Sequence, residues 1–135
     1  MVETMTEIKR PINLHRAYHA HVYFDAETQE VARKLCDKIA QQFADLTVGR
    51  FHKRSVGPHS KWSCQTTFSA KHFDTFIPWL DANREGLTIF IHGLTGDDLK
   101  DHTDYAYWLG QSVELNLRMF RPHPVLSLFK PRTVL

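Results

Sequence analysis

Residues 18–25 read YHAHVYFD. Successive side chains of an extended chain point to opposite faces, so His19, His21 and Tyr23 share one face while Ala20, Val22 and Phe24 occupy the other. The second face is a core face. The first carries two imidazoles two residues apart, polar rings that need partners if they are buried.

Working outward from this strand, Asp25 offers a helix N-cap with Glu27 in the first turn. Val31, Leu35, Ile39 and Phe43, with Ala32, Cys36 and Ala40 beside them, form an apolar stripe at helical spacing that ends near Ala44. LTVGRFHKR (46–54) alternates like a strand, SVGPHSK carries Gly-Pro loop punctuation, and WSCQTTF (62–68) reads as a return strand. Ser69 can cap a second helix with apolar positions Phe73, Phe76, Ile77 and Leu80, in which Pro78 predicts a kink or restart. Glu85-Gly86 ends it, and LTIFIH (87–92) is the clearest strand, with Leu87, Ile89 and Ile91 on one face and Thr88, Phe90 and His92 on the other.

This order gives an α+β class: a ferredoxin-like βαββαβ fold with a four-stranded antiparallel sheet and both helices on one face. A single domain is expected over 1–135, with a leader (1–16), an extra short helix from Asp101 to Leu109, and a C-terminal tail (118–135). The tail has too many prolines for a helix yet enough apolar residues to dock on its own domain or on a partner subunit.

The 135 residues are 42% hydrophobic, enough for one packed core. A formal net charge of +2, with Lys and Arg scattered among Asp and Glu, argues against nucleic acid. No apolar run approaches the ~20 residues that span a bilayer, and MVETMTEIKRPINLH lacks the apolar centre of a secretion signal, so a cytoplasmic protein with no membrane partner is expected. Cys36 and Cys64 lack metal or redox spacing and read as small core residues of a reducing compartment. Nine histidines exceed the share of an ordinary domain.

In the expected topology the first and third strands run parallel in the middle of the sheet, and the second and fourth run the opposite way at its edges. His19 and His21 begin the first strand, His52 ends the second, His59 precedes the third and His92 ends the fourth, so all five converge at one end of the open face. A strand HxH pair suits a metal, because both rings project together and neutral imidazole ligates iron, zinc or copper. His92 completes a three-ligand face with positions left open. His15, His72 and His123 read as surface or packing residues. Asp97, Asp98, Asp101 and His102 read as caps or as groups holding a ligating imidazole by its second nitrogen, in preference to ligands. Trp62, Trp79, Tyr105, Tyr107 and Trp108 read as core or interface.

YHAHVYFD, VGPH, PWLDANREGLTIFIH and TGDDLKDHTDYAYWLG, in order from about Tyr18 to Leu117, together resemble the DOPA 4,5-dioxygenase family. The resemblance implies a ferredoxin-like domain, often dimeric, that cleaves a catechol ring with molecular oxygen in the extradiol manner. The histidines at 19, 21, 59, 92 and 102 match the family's histidine-containing blocks. Where members often have VGPHP, this chain has VGPHSKWS, and Ser60 alters the loop bordering the site. The cofactor implied is Fe(II), with zinc or another divalent metal as an alternative occupant, and the partners are a small catechol, O2 and a second copy of the chain. His19, His21 and His92 are then the expected ligands. His59, with His52 as its rival, would take a proton from the catechol and return it. Non-haem oxygenases commonly use two His and one carboxylate, and no carboxylate can be placed from spacing, so an all-His site stays open. Two other functions compete: a metal- or aromatic-ligand module without turnover, and a structural dimer that buries an apolar open face.

Overall fold

The computed structural model describes residues 8–120. Its elements are β1 (Ala17–Phe24), α1 (Gln29–Gln42), β2 (Thr47–His52), β3 (Trp62–Ser69), α2 (Ala70–Asn83), β4 (Ile89–Gly93), α3 (Asp98–Asp101), β5 (Ala106–Leu109) and a 3₁₀ turn at Arg118–Phe120. The sheet order is β2-β3-β1-β4-β5, every neighbour antiparallel. The first four strands and two long helices are the expected α+β, ferredoxin-like arrangement, and a fifth strand extends it.

That fifth strand corrects the helix expected over Asp101 to Leu109. Only one helical turn forms, at 98–101, and AYWL then pairs with β4, Trp108 opposite Phe90 and Tyr107 opposite Ile91. Its side chains alternate: Tyr107 and Leu109 enter the helix-side core, Ala106 and Trp108 the opposite face. Aromatic residues that can bury on both faces favour a strand over a helix with one apolar stripe.

The strand directions need a second correction. β1 is antiparallel to β3, not parallel, with Phe24 opposite Trp62. β4 is antiparallel to β1, which sets His19 directly against His92. The end of β2 and the start of β3 therefore lie beside Phe24, at the far end of the sheet from His19. The loop 53–61 must reach back to bring His59 to the other histidines.

Three local expectations shift as well. α1 starts at Gln29, and Asp25 instead accepts from the backbone of Glu27 and Thr28 in the preceding turn. Ser69 occupies the N-cap of α2 but makes no side-chain cap; its hydroxyl meets His72 Nδ1 at 3.3 Å. α2 runs unbroken through Pro78. Pro78 and Asp74 are both exposed, so water can serve the carbonyl that loses its donor.

Tyr18, Ala20, Val22 and Phe24 pack with Leu35, Ile39, Phe76, Leu80, Ile89 and Ile91 in the main core. Cys36 and Cys64 are free thiols buried in it, as their isolation in sequence suggested. The opposite face carries a smaller cluster of Tyr23, Phe90, Ala106 and Trp108, covered by Val113 and Leu115. Two bonds tie this cover to the 53–61 loop: Asn116 N donates to Pro58 O at 2.8 Å, and Ser60 Oγ donates to Glu114 O at 3.0 Å. Among the described residues no helix is long and apolar enough to cross a membrane. His123 and most of the expected tail lie outside the described residues.

Candidate metal centre

Register builds the centre. His19 and His92 are direct cross-strand partners, and His21 lies two residues further along β1 on the same face. Ring centroids are 5.6 Å apart for His19–His21, 5.1 Å for His19–His92 and 5.2 Å for His21–His92. One donor nitrogen from each falls within 4.8 Å of the others. The Nε2 atoms of His21 and His92 are 3.1 Å apart. Two ligands about 2.1 Å from one ion at a right angle would sit ~3.0 Å apart, so this pair already has the spacing of adjacent metal ligands.

His92 is held for that task. Its Nδ1 donates to the Gly93 carbonyl at 2.8 Å, which makes Nε2 the acceptor nitrogen; without an ion it accepts from His21 Nε2. Gly93 itself cannot carry a side chain, since a Cβ there would come within 2.7 Å of the His15 ring. His15 is the packing residue it was read to be, bonded to Tyr107 at 2.9 Å.

The imidazoles are kept uncharged. Burial lowers His92 to about 3, with the Gly93 carbonyl pulling the other way, and burial followed by the neighbouring rings of His59 and His92 pushes His21 well below its usual value. Burial also lowers His19, and it takes His59 down to about 4, assisted by His102 and His19. Neutral imidazole is the ligating form, so a cation entering at neutral pH displaces no charge.

His59 arrives from the loop. The Val56–His59 turn closes with His59 N donating to Val56 O at 3.1 Å, and Gly57 supplies the φ of +56° that the reversal requires. The ring settles 4.1 Å from that of His21, and its Nδ1 meets the Tyr23 hydroxyl at 2.7 Å. His52 does not join. It lies on β2 opposite Ser63, which is itself opposite Tyr23, two strands away from the cluster. The rivalry between them was a product of the parallel-strand expectation.

His102 sits between two rings, 4.2 Å from His92 and 4.5 Å from Phe120, with Nδ1 bonded to Asp98 O at 2.7 Å. It packs at a tilt against a ligand candidate and stands outside the three-nitrogen group. Asp97 caps α3 through Lys100 N, and both oxygens of Asp101 are taken by Thr95. Among the described residues the clustered donors are three histidines without a carboxylate. Gln65, opposite His21, also lines this site, and Phe90 packs against the His21 ring from the adjoining apolar cluster; register alone could have revealed both.

These rings floor a cavity of about 370 Å³, walled by Gly57, Pro58, Met119 and Phe120. Its size suits a small ring compound. The chain matches the Dopa 4,5-dioxygenase family over residues 18–119. It belongs to that family. His19, His21, His59, His92 and His102 all lie inside the match. A DOPA 4,5-dioxygenase from Amanita muscaria is 29% identical over 110 residues, covering 76% of this chain and 48% of the relative. An uncharacterised 21.2 kDa protein from Botryotinia fuckeliana is 31% identical over 116 residues, covering 78% of this chain and 63% of the relative. The chain thus spans about half to three-fifths of these curated relatives. The crystal structure of a "putative dioxygenase" from Nostoc punctiforme superposes with a TM-score of 0.76 at 40% identity, covering 79% of this chain and 92% of that one.

Proposed function

We propose that this member of the DOPA 4,5-dioxygenase family is an extradiol dioxygenase, adding both atoms of O2 to a small catechol to give a muconic semialdehyde-type product. The observation that carries the reading is the convergence of three neutral imidazoles, with two Nε2 atoms 3.1 Å apart, at the floor of a ring-sized cavity. His19, His21 and His92 would hold Fe(II), leaving coordination positions for the reactants. The ion supplies activation of dioxygen and collects both reactants in one place.

The chain's own residues do the rest. The stacked rings of His102 and Phe120 border a slot for a flat aromatic ligand. The cover formed by 111–120 and the 53–61 loop limits water over the sheet. His59 is a polar ring beside the centre that can act on an oxygen of the diol, whereas His52 does not line the cavity.

Protein reconstituted with iron under anaerobic conditions should, on mixing with oxygen and a panel of catechols that includes DOPA, take up O2 and form a yellow product. Absence of turnover across that panel, with iron confirmed at the site, contradicts the reading and favours a binding module that has kept the pocket. The polar open face, with His19, His21 and His92, gives no support to a purely structural dimer. We also propose a homodimer, to be checked by light scattering, and a cytoplasmic setting, supported by the free thiols of Cys36 and Cys64.

A further inference from the structure

The Tyr23 hydroxyl has a single hydrogen-bond partner among the described residues, His59 Nδ1 at 2.7 Å. Tyr23 is 2% exposed and His59 6%. A buried hydroxyl that only accepted a bond would leave its own O–H without an acceptor, which folded proteins avoid. Tyr23 therefore donates and His59 Nδ1 accepts. A neutral imidazole that accepts at Nδ1 carries its proton on Nε2.

His59 needs such a tether. It stands on an irregular loop whose anchoring strand ends lie at the far end of the sheet from His19 and His92, and ring packing against His21 fixes its position more than its spin about the side-chain bonds. With Nδ1 bound to Tyr23, Nε2 is the nitrogen left to meet a ligand in the cavity.

We propose that Tyr23 is a positioning residue for His59, holding the Nε2–H tautomer so that His59 presents a hydrogen-bond donor to a catechol oxygen that carries negative charge. The substrate form this favours is the deprotonated diol. The role assigned to His59 from the sequence, a proton acceptor, becomes that of a donor. No proton changes hands in this step. The inference rests on the catechol reading only for the identity of the acceptor; the tautomer is a property of the protein itself.

Two measurements test it. In metal-free protein, ¹⁵N–¹H spectra of the imidazoles, with the His59 signals identified by their loss in His59→Ala, should show His59 protonated on Nε2 alone. Tyr23→Phe should convert this to a mixture of tautomers. A His59 protonated on Nδ1, or a pattern unchanged in Tyr23→Phe, overturns the proposal. In iron-loaded protein, Tyr23→Phe should lower kcat about tenfold, with KM and bound iron within about twofold. The double variant Tyr23→Phe/His59→Ala should turn over no more slowly than His59→Ala alone. If the Tyr23 loss recurs in full without His59, Tyr23 acts by another route and the proposal fails. A wild-type protein that turns over no catechol defeats the dioxygenase reading, and the spectra still decide the tautomer.

Discussion

The two faces of this sheet are built from alternating residues of the same strands, yet they obey different rules. The helix face takes Ala20, Val22, Ile89 and Ile91 into a core whose favourable term is apolar area removed from water. The open face takes His21, Tyr23 and His92 to nearly the same depth, at 4%, 2% and 3% exposure. Burial there serves chemistry instead, because it discharges the rings and aims their lone pairs. One face should respond to lost volume, the other to lost nitrogen atoms.

The largest effect separating them is expected from Phe76→Ala, which empties fully buried volume between α2 and β3. It should cost about 3–5 kcal/mol in denaturant unfolding while the folded fraction keeps its metal stoichiometry. Loss of metal out of proportion to folding would show that the faces are not separable. Next comes His59→Ala, expected to lower turnover about 100-fold and to cost about 1–3 kcal/mol in unfolding, because the buried Tyr23 hydroxyl loses its acceptor. His52→Ala should stay within about twofold, and an equal loss in both would restore His52 as a rival.

A smaller difference lies in pH. His21, His59 and His92 have folded-state values below the unfolded one, so the unfolded chain binds more protons once pH drops under about 6.5. Stability of the metal-free protein is therefore full near pH 7 and falls as pH is lowered, by up to about 1.4 kcal/mol per unit for each ring. Denaturant curves at pH 7 and 5.5 should show the drop, and saturating metal should oppose it. Identical curves would mean that the rings are hydrated in solution. Smallest of all, His72→Ala on α2, whose polar partners among the described residues are Ser69 and Asp45, should leave metal binding unchanged.

The helix face was legible because periodicity reports it directly. The stripe of Leu35, Ile39, Phe76 and Leu80 and the alternation of LTIFIH each state which side is buried. His19, His21 and His92 were legible for the same reason, since parity along a strand fixes the face and a short register fixes the pair. Strand direction was not legible: it depends on which crossover places β3 beside β1, and an incorrect direction put His52 where it does not belong. β5 was missed because YAYW reads poorly as an amphipathic helix and equally poorly as an edge strand until β4 offers it an unpaired edge. The bond from Tyr23 to His59 spans an irregular loop whose course no periodicity records.

Metal analysis of protein prepared without oxygen, with His21→Ala beside the wild type, bears most directly on the centre itself. One iron per chain in the wild type and nearly none in a folded His21→Ala variant is the expected result. Equal metal in both, or none in either after reconstitution, would contradict a centre held by His19, His21 and His92.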